Sequence, residues 1–234
     1  MPFSPKNILI VKLSAIGDVI HTLPVLNAIC RRYPRARITW LVEEAAAGLV
    51  EGHPALDRVL VSRRKRWLKG LSGPYRVRYA RRVIAFLREL RDTRYDMILD
   101  FQASLKGGFL IALARGKRKI GFGRGLEHQE HSYLFLNETV PAVDMEIHAL
   151  TRGLILLKQV GIPVDRVTYR LPVSDHDRDD VQRMLDAAGV DRRARLVAIN
   201  PVAQWETKLW DNLKFASLAD LLIERYDVTV VFSG

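Results

Sequence analysis

The feature that most constrains the fold of this chain is an alternation of short, β-branched aliphatic segments with longer segments of helical period. The strand-like segments are NILIVK (7–12), RITWLV (37–42), RVLVS (58–62), YDMILDF (95–101) and RKIGFG (118–123). Helical patterns cover about 18–32, 76–93, 105–116 and 145–161. Because strands joined through helices pair in parallel, the alternation predicts an α/β fold with a parallel sheet covered by helices on both faces.

A second series of the same kind follows a stretch with two prolines and no helical period, GIPVDRVTYRLPVSDHD. It contains two helical segments and two strands, RLVAIN (195–200) and DVTVVFSG (227–234). We therefore predict an N-terminal domain over 1–170 and the start of a second domain over 171–234. A sheet of two strands buries too little surface to stand as an ordinary domain, so we expect the chain to be part of a longer protein.

The charge balance indicates an anionic partner. The formal net charge is +11, which favours binding to nucleic acid, anionic lipid or a phosphorylated small molecule. No apolar run approaches the length of a membrane span, and the N-terminus lacks the apolar core of a signal peptide, so we expect a cytoplasmic protein. The single cysteine, Cys30, excludes an internal disulfide framework and a multi-cysteine metal site.

The stretch KLSAIGDVIHTLP (12–24) holds the first candidate catalytic group, Asp18. Its carboxylate can cap the first helix or act as a general base, since ligands of parallel sheets bind beyond the carboxyl ends of the strands. Gly17 would let a ligand approach the backbone closely. His21 lies at i+3 from Asp18, where it can orient the carboxylate, contact substrate or pack as an ordinary helical residue. The loop DFQASLKGG, after the fourth strand, ends at the same sheet edge.

Two further segments supply positive charge. SRRKRWLKG (62–70) is interpreted either as a solvated basic loop or as an arm for phosphate and carboxylate groups, to which arginine binds bidentately. In NPVAQWETKLWDNLKF (200–215), Lys208 stands between a strand and a helix that we expect to begin near Trp210 or Asp211. Such a lysine is either an ordinary surface residue or a ligand for a diphosphate at the helix N-terminus.

Three stretches, ILIVKLSAIGDVIHTLPVLNAI, YDMILDFQASLKGG and NPVAQWETKLW, resemble the ADP-heptose:lipopolysaccharide heptosyltransferases. The basic arm and EIHALTRGLILL also fall where that family has similar segments, so the resemblance covers nearly the whole chain. It is closer to heptosyltransferase I, which adds the first heptose to the Kdo of the inner core, than to heptosyltransferase II. The resemblance implies a GT-B fold, in which an N-terminal Rossmann-like domain takes the acceptor and a C-terminal one takes the sugar nucleotide.

The family resemblance also implies a reaction: inverting, metal-independent transfer of heptose from ADP-heptose to the Kdo region of the lipopolysaccharide inner core, without a cofactor. Asp18 matches the catalytic aspartate and Lys208 the lysine that binds the donor phosphate. The acceptor-binding positions implied are Ser14, Gly17, His21, Arg63, Arg64, Arg66, Gln102, Lys106 and Arg124. His128 aligns where the family arginine near Arg124 is expected, and the later DTG-type motif of the donor site has no counterpart before Gly234.

The partners implied are ADP-heptose and an anionic lipid A–Kdo acceptor, with peripheral contact at the inner face of the inner membrane and no nucleic acid. Other interpretations of the residues stay open: a different GT-B sugar-nucleotide transferase of the cell envelope, a basic RNA-binding α/β protein, or a non-catalytic scaffold. A panel of sugar nucleotides distinguishes the first of these, and retention on RNA in moderate salt distinguishes the second.

Overall fold

The computed structural model describes residues 3–126, 130–203 and 206–233. The chain divides into two compact units, residues 1–172 and residues 173–234. Each unit is an α/β structure with its own parallel sheet.

The first unit is built on a six-stranded parallel sheet with the spatial order β3-β2-β1-β4-β5-β6. Its strands are β1 (Asn7–Val11), β2 (Arg37–Glu43), β3 (Arg58–Ser62), β4 (Arg94–Asp100), β5 (Arg115–Phe122) and β6 (Glu138–Val140). In the register, Val11 at the end of β1 stands opposite Leu41 of β2 and Asp100 of β4. The carboxyl ends of the two central strands therefore meet at the point where the strand order reverses, which is where ligands bind in open α/β sheets.

Helices cover both faces of this sheet, as the alternation predicts. They are α1 (Ile16–Arg32), α2 (Arg64–Leu71), α3 (Arg76–Asp92), α4 (Leu105–Leu113) and α5 (Ala149–Gln159), with 3-10 turns at Glu44–Leu49 and Ser132–Phe135. Because side chains alternate along a strand, Ile8 and Ile10 of β1 pack with α1 and α5, while Leu9 and Val11 pack with α2, α3 and α4. Both faces are apolar, as expected of a parallel sheet buried on both sides.

Some local expectations differ from the structure. The segment expected to be helical over 105–116 divides into α4, which ends at Leu113, and β5, which begins at Arg115. The helix expected from residue 145 begins at Ala149. The basic segment interpreted as a loop or arm contains the helix α2, because Trp67 is buried with its ring centroid 4.9 Å from that of Phe86. The first helix begins at Ile16, two residues earlier than expected, so Asp18 lies inside its first turn. The packing of Trp67 against Phe86 accounts for α2, because tertiary contacts override weak local propensity in short segments.

The second unit contains α6 (Asp175–Ala187), β7 (Leu196–Ile199), a 3-10 turn (Glu206–Lys208), α7 (Asn212–Tyr226) and β8 (Thr229–Phe232). The two strands pair in parallel, with Leu196 opposite Thr229. Helix α6 begins with a capping box in which the Ser174 hydroxyl accepts from the Asp177 amide and the Asp177 carboxylate accepts from the Ser174 amide. Among the described residues, no helix is long and apolar enough to cross a membrane.

Candidate functional site

A cavity of about 210 Å³ opens at the carboxyl ends of β1 and β4. The loop after β1 contributes Lys12, the first turn of α1 contributes Asp18, and the loop after β4 contributes Gln102 and Ser104. Arg152 of α5 closes another side. The cavity therefore lies at the switch point of the sheet, and polar groups from four segments converge on it.

The central feature of the cavity is an ion pair between Lys12 and Asp18. The Lys12 ammonium donates to Asp18 Oδ2 at 2.9 Å and to the backbone oxygen of Phe101 at 3.1 Å. The side chain of Lys12 is 8% exposed and that of Asp18 is 41% exposed. Burial lowers the pKa of Lys12, and the neighbouring Asp18 carboxylate opposes this shift. Asp18 thus presents a solvent-accessible carboxylate that a buried cation holds by one oxygen.

The alternative that Asp18 caps its helix does not hold in the structure. Ala15 occupies the N-cap position and no side chain accepts a capping hydrogen bond there. Within the described part of the chain, Oδ2 of Asp18 accepts from Lys12, whereas Oδ1 accepts no hydrogen bond. The second oxygen is therefore available to a ligand in the cavity.

Asp100, at the end of β4, organises the neighbouring loop. Its side chain is 1% exposed, and Oδ1 accepts from the amides of Gln102 at 2.9 Å and Ala103 at 3.0 Å. Burial raises the pKa of Asp100 to about 6, against the opposing effects of these two amides and of the Lys12 ammonium. Ala103 has a φ of +48°, in the left-handed region that non-glycine residues seldom occupy, so the Asp100 hydrogen bonds hold a strained turn in place.

This turn positions Gln102, which joins the two loops at the sheet edge. Gln102 Oε1 accepts from the amides of Leu13 at 2.8 Å and Ser14 at 3.0 Å. Lys106, at the start of α4, donates to the Ser14 hydroxyl at 2.7 Å and to Glu43 Oε1 at 3.1 Å. The sequence-predicted residues Ser14, Gln102 and Lys106 are therefore brought together in one hydrogen-bonded network beside the cavity.

The three arginines of the basic segment lie at the same edge. Arg63 and Arg66 pair with Glu44 at 3.1 Å and 3.5 Å, and Arg64 lies 3.9 Å from Glu43. These side chains are about half exposed, and exposed ion pairs contribute little to stability. An anionic ligand can therefore compete for the arginines at small cost.

Two further residues singled out in the sequence, His21 and Gly17, lie in the same helix as Asp18. His21 Nδ1 is 3.4 Å from the Tyr169 hydroxyl, and its ring centroid is 4.5 Å from that of His148. Gly17 is exposed, and a methyl group added there would meet nothing within 4 Å. The backbone at Gly17 is consequently open to close approach, whereas the His21 ring is engaged with other side chains.

Three residues singled out in the sequence remain: Arg124, His128 and Lys208. Arg124 is exposed in the turn after β5 and does not line the cavity, and His128 lies outside the described residues. Lys208 ends the exposed 3-10 turn of the second unit. Helix α7 begins after that turn, and the Asp211 carboxylate accepts from the amides of Leu213 and Lys214. The helix N-terminus at which we expect a phosphate is therefore already capped by a carboxylate of the chain itself.

Sequence reasoning overlooked three residues of the site: Lys12, Arg152 and Glu43. The available signal for Lys12 was its position at the end of an otherwise aliphatic strand, six residues before Asp18. Arg152 donates to the backbone oxygens of Met145 at 2.6 Å and Ile147 at 2.8 Å, and nothing in its local sequence distinguishes it. Among the described residues, no group of three or more His, Cys, Asp or Glu side chains is arranged to hold a metal ion.

Comparison with known proteins gives concordant matches. The profile of glycosyltransferase family 9 (heptosyltransferase) matches residues 83–234. Lipopolysaccharide heptosyltransferase 1 of Escherichia coli K12 is 37% identical over 219 residues, covering 93% of this chain and 65% of that protein. Its counterpart in Pseudomonas aeruginosa PAO1 is 32% identical over 219 residues, covering 93% of this chain and 58% of that protein.

A solved structure agrees with these sequence matches. The E. coli heptosyltransferase WaaC with ADP-2-deoxy-2-fluoro heptose superimposes with a TM-score of 0.74 and 26% identity, over 97% of this chain and 69% of that one. This likeness confirms the expected α/β fold class. The lipopolysaccharide core heptosyltransferase OpsX of Haemophilus influenzae is matched over 60% of its length, so the chain spans about three fifths of such relatives.

Proposed function

Since this chain belongs to glycosyltransferase family 9, the heptosyltransferase family, we propose that the protein transfers a heptose from ADP-heptose to the Kdo region of the lipopolysaccharide inner core. The observation that supports this most is Asp18, an accessible carboxylate with one free oxygen at the switch point of a parallel sheet. The ADP-heptose analogue in the WaaC structure supports the choice of donor.

In the proposed reaction, Asp18 is the general base. The acceptor hydroxyl oxygen attacks the anomeric carbon of the heptose and gives its proton to Asp18 Oδ1. The bond between that carbon and the diphosphate oxygen breaks in the same displacement, so the configuration inverts and ADP leaves. Lys12 holds the carboxylate in place through Oδ2 and thereby leaves Oδ1 to face the hydroxyl.

The proposal assigns charge stabilisation to protein cations rather than to a metal ion. Lys208 would neutralise the departing diphosphate, and a positive group placed where negative charge develops lowers the barrier. Metal independence predicts that transfer persists after dialysis against EDTA. Loss of transfer with EDTA and its return with a divalent cation would contradict this part of the proposal.

The acceptor is proposed to be an anionic lipid A–Kdo molecule at the cytoplasmic face of the inner membrane. Arg63, Arg64, Arg66 and Lys106 stand at the sheet edge that carries Asp18, and each is now paired with Glu43 or Glu44. Carboxylate and phosphate groups of the acceptor would replace those glutamates, since arginine and lysine bind both groups well.

The test is an Asp18→Asn substitution assayed by mass spectrometry with a panel of sugar nucleotides, including ADP-heptose. We expect transfer to fall about a hundredfold or more, as for loss of a general base, while ADP binding is retained. Asp165→Asn, which changes an exposed aspartate of the same unit, is the matched control and should transfer normally. Near-normal turnover of the Asp18→Asn protein would remove Asp18 from this role, and transfer from another sugar nucleotide alone would replace the proposed donor.

A further inference from the structure

The segment that runs from Arg63 to Arg82 has an extreme charge. Its sequence, RRKRWLKGLSGPYRVRYARR, contains nine lysines and arginines and no acidic residue, whereas the net charge of the whole chain is +11. The segment comprises α2, the connecting turn and the first part of α3, and we call it the α2–α3 basic face. Most of the positive excess of the protein is therefore concentrated on one helical hairpin.

Most of these cations have no use in the site described above. Within the described chain, only Arg63, Arg64 and Arg66 form ion pairs, with Glu43 and Glu44. The other six are exposed and pair with no described acidic residue: Lys65, Lys69, Arg76, Arg78, Arg81 and Arg82. So many unpaired like charges in one place repel each other, and an anionic surface would relieve that repulsion.

The same face exposes large apolar side chains among the cations. Leu68, Leu71, Tyr75 and Val77 are each exposed, and all of them except Leu71 are more than half exposed. An apolar cavity of about 370 Å³ opens beside the two leucines. Cationic residues that surround projecting apolar ones are the combination found in segments that lie in the interface of a membrane.

We propose that the α2–α3 basic face docks on an anionic lipid bilayer. Lipid phosphates would contact the six unpaired cations, while Leu71, Tyr75 and Val77 enter the boundary between headgroups and acyl chains. Helix α2 follows directly after β3, at the sheet edge that carries Asp18, so docking would bring that edge to the lipid surface. This inference rests on the proposed function in one respect: the proposed acceptor is a lipid that is presented at such a surface.

The exposed side chains favour lipid over nucleic acid as the partner. Single-stranded nucleic acids bind through aromatic side chains on which the bases stack. Of the four exposed apolar residues of the face, only Tyr75 is aromatic, and the aliphatic Leu68, Leu71 and Val77 gain more from an acyl environment. The RNA alternative is therefore kept as an outcome of the test.

The test is co-sedimentation of the full chain with phosphatidylcholine vesicles prepared with and without phosphatidylglycerol. The test variant replaces Lys65, Lys69 and Arg78 by glutamine. The matched control replaces Arg35, Arg37 and Lys117 by glutamine; it removes the same net charge from exposed positions outside the face. We expect the wild type to bind only the anionic vesicles, and the test variant to bind them about a hundredfold more weakly, because each basic residue near the surface contributes about fivefold. The control variant should bind like the wild type.

A second variant addresses the apolar contribution. Replacing Leu71 and Val77 by serine should weaken vesicle binding by roughly tenfold while the charge is unchanged. Equal losses in the two charge variants, or retention of the wild type on RNA but not on vesicles in moderate salt, would overturn the inference. Transfer to a water-soluble, acyl-free acceptor should survive in both face variants, so failure of docking and failure of the proposed chemistry are distinguishable. Thermal melting by circular dichroism checks that each variant is folded.

Discussion

The buried carboxyl of Asp100 gives the most quantitative prediction, through the substitution Asp100→Asn. Burial raises the pKa of Asp100 to about 6 from an ordinary 3.8. Folding therefore favours the protonated acid. The stabilising effect of this proton is fully present below the unfolded pKa and is lost as the pH rises through about 6. Asparagine cannot ionise, yet its carbonyl oxygen can still accept from the amides of Gln102 and Ala103.

The size of the effect follows from the shift in pKa. A change of about two units corresponds to about 3 kcal/mol, and Asp100 is 1% exposed, so solvent screening reduces it little. The buried NH₂ group of the variant adds a cost of about 1–3 kcal/mol that is independent of pH. The free energy of unfolding of the variant relative to the wild type should therefore rise by about 3 kcal/mol between about pH 4 and about pH 8. This rise does not depend on the size of the constant cost of the NH₂ group.

The measurement is urea unfolding at several pH values between these limits, followed by the fluorescence of the buried residues Trp40 and Trp67. Glu138→Gln is the control, and its stability relative to the wild type should change with pH in the opposite direction. The Arg118 guanidinium donates to Glu138 and lowers the pKa of that carboxyl, so its stabilising effect is present above the unfolded pKa and is lost as the pH falls. A relative stability of Asp100→Asn that does not change with pH, or that falls as the pH rises, would refute the reasoning.

Three other substitutions test separate parts of the structure. Replacing Arg63 and Arg64 by alanine should raise KM for the acceptor at least tenfold and leave KM for ADP-heptose nearly unchanged, since in the proposed function each arginine donates a charge-assisted hydrogen bond to the acceptor; equal changes would argue against that role. Lys12→Met should lower kcat by about tenfold or more, because the carboxylate of Asp18, the proposed base, loses the ammonium that holds it. The substitution should change urea stability little, because it also removes a buried ammonium. An unchanged kcat would show that the ion pair is dispensable. Trp67→Ala should cost about 3–5 kcal/mol of unfolding free energy through the lost contact with Phe86, and a much smaller value would mean that α2 does not depend on this anchor.

Much of the fold could be predicted from local sequence. The strand Arg58–Ser62 was expected within the same bounds, and the helix Arg76–Asp92 within one residue, because their periods are clear over their whole length. The eight-residue helix α2 was not expected, since its single buried anchor, Trp67, is stabilised by α3 rather than by its neighbours in sequence. The three-residue strand β6 is too short to show a period and pairs only at the sheet edge.

The candidate site also has features that the local sequence predicts and features that only the fold decides. Asp18 could be singled out because a glycine and a carboxylate follow an aliphatic strand, and this local signal places it at the sheet edge. The orientation of its carboxylate depends on Lys12, and the turn at Ala103 depends on the buried Asp100. The sequence stretches around these residues predict neither interaction, because each requires knowledge of which groups the fold removes from water.

The sequence by itself determined the alternation of strands and helices, the polar loops at their ends and the concentration of charge in residues 63–82. Only the tertiary structure decided that Val11 stands beside Asp100, 89 residues away in the chain. That pairing buries Asp100 and Lys12, which shifts the pKa of each, and leaves Asp18 half in solvent. The physical reason is that periodicity and charge act locally along the chain, whereas desolvation and ion pairing depend on contacts that form only when distant strands align.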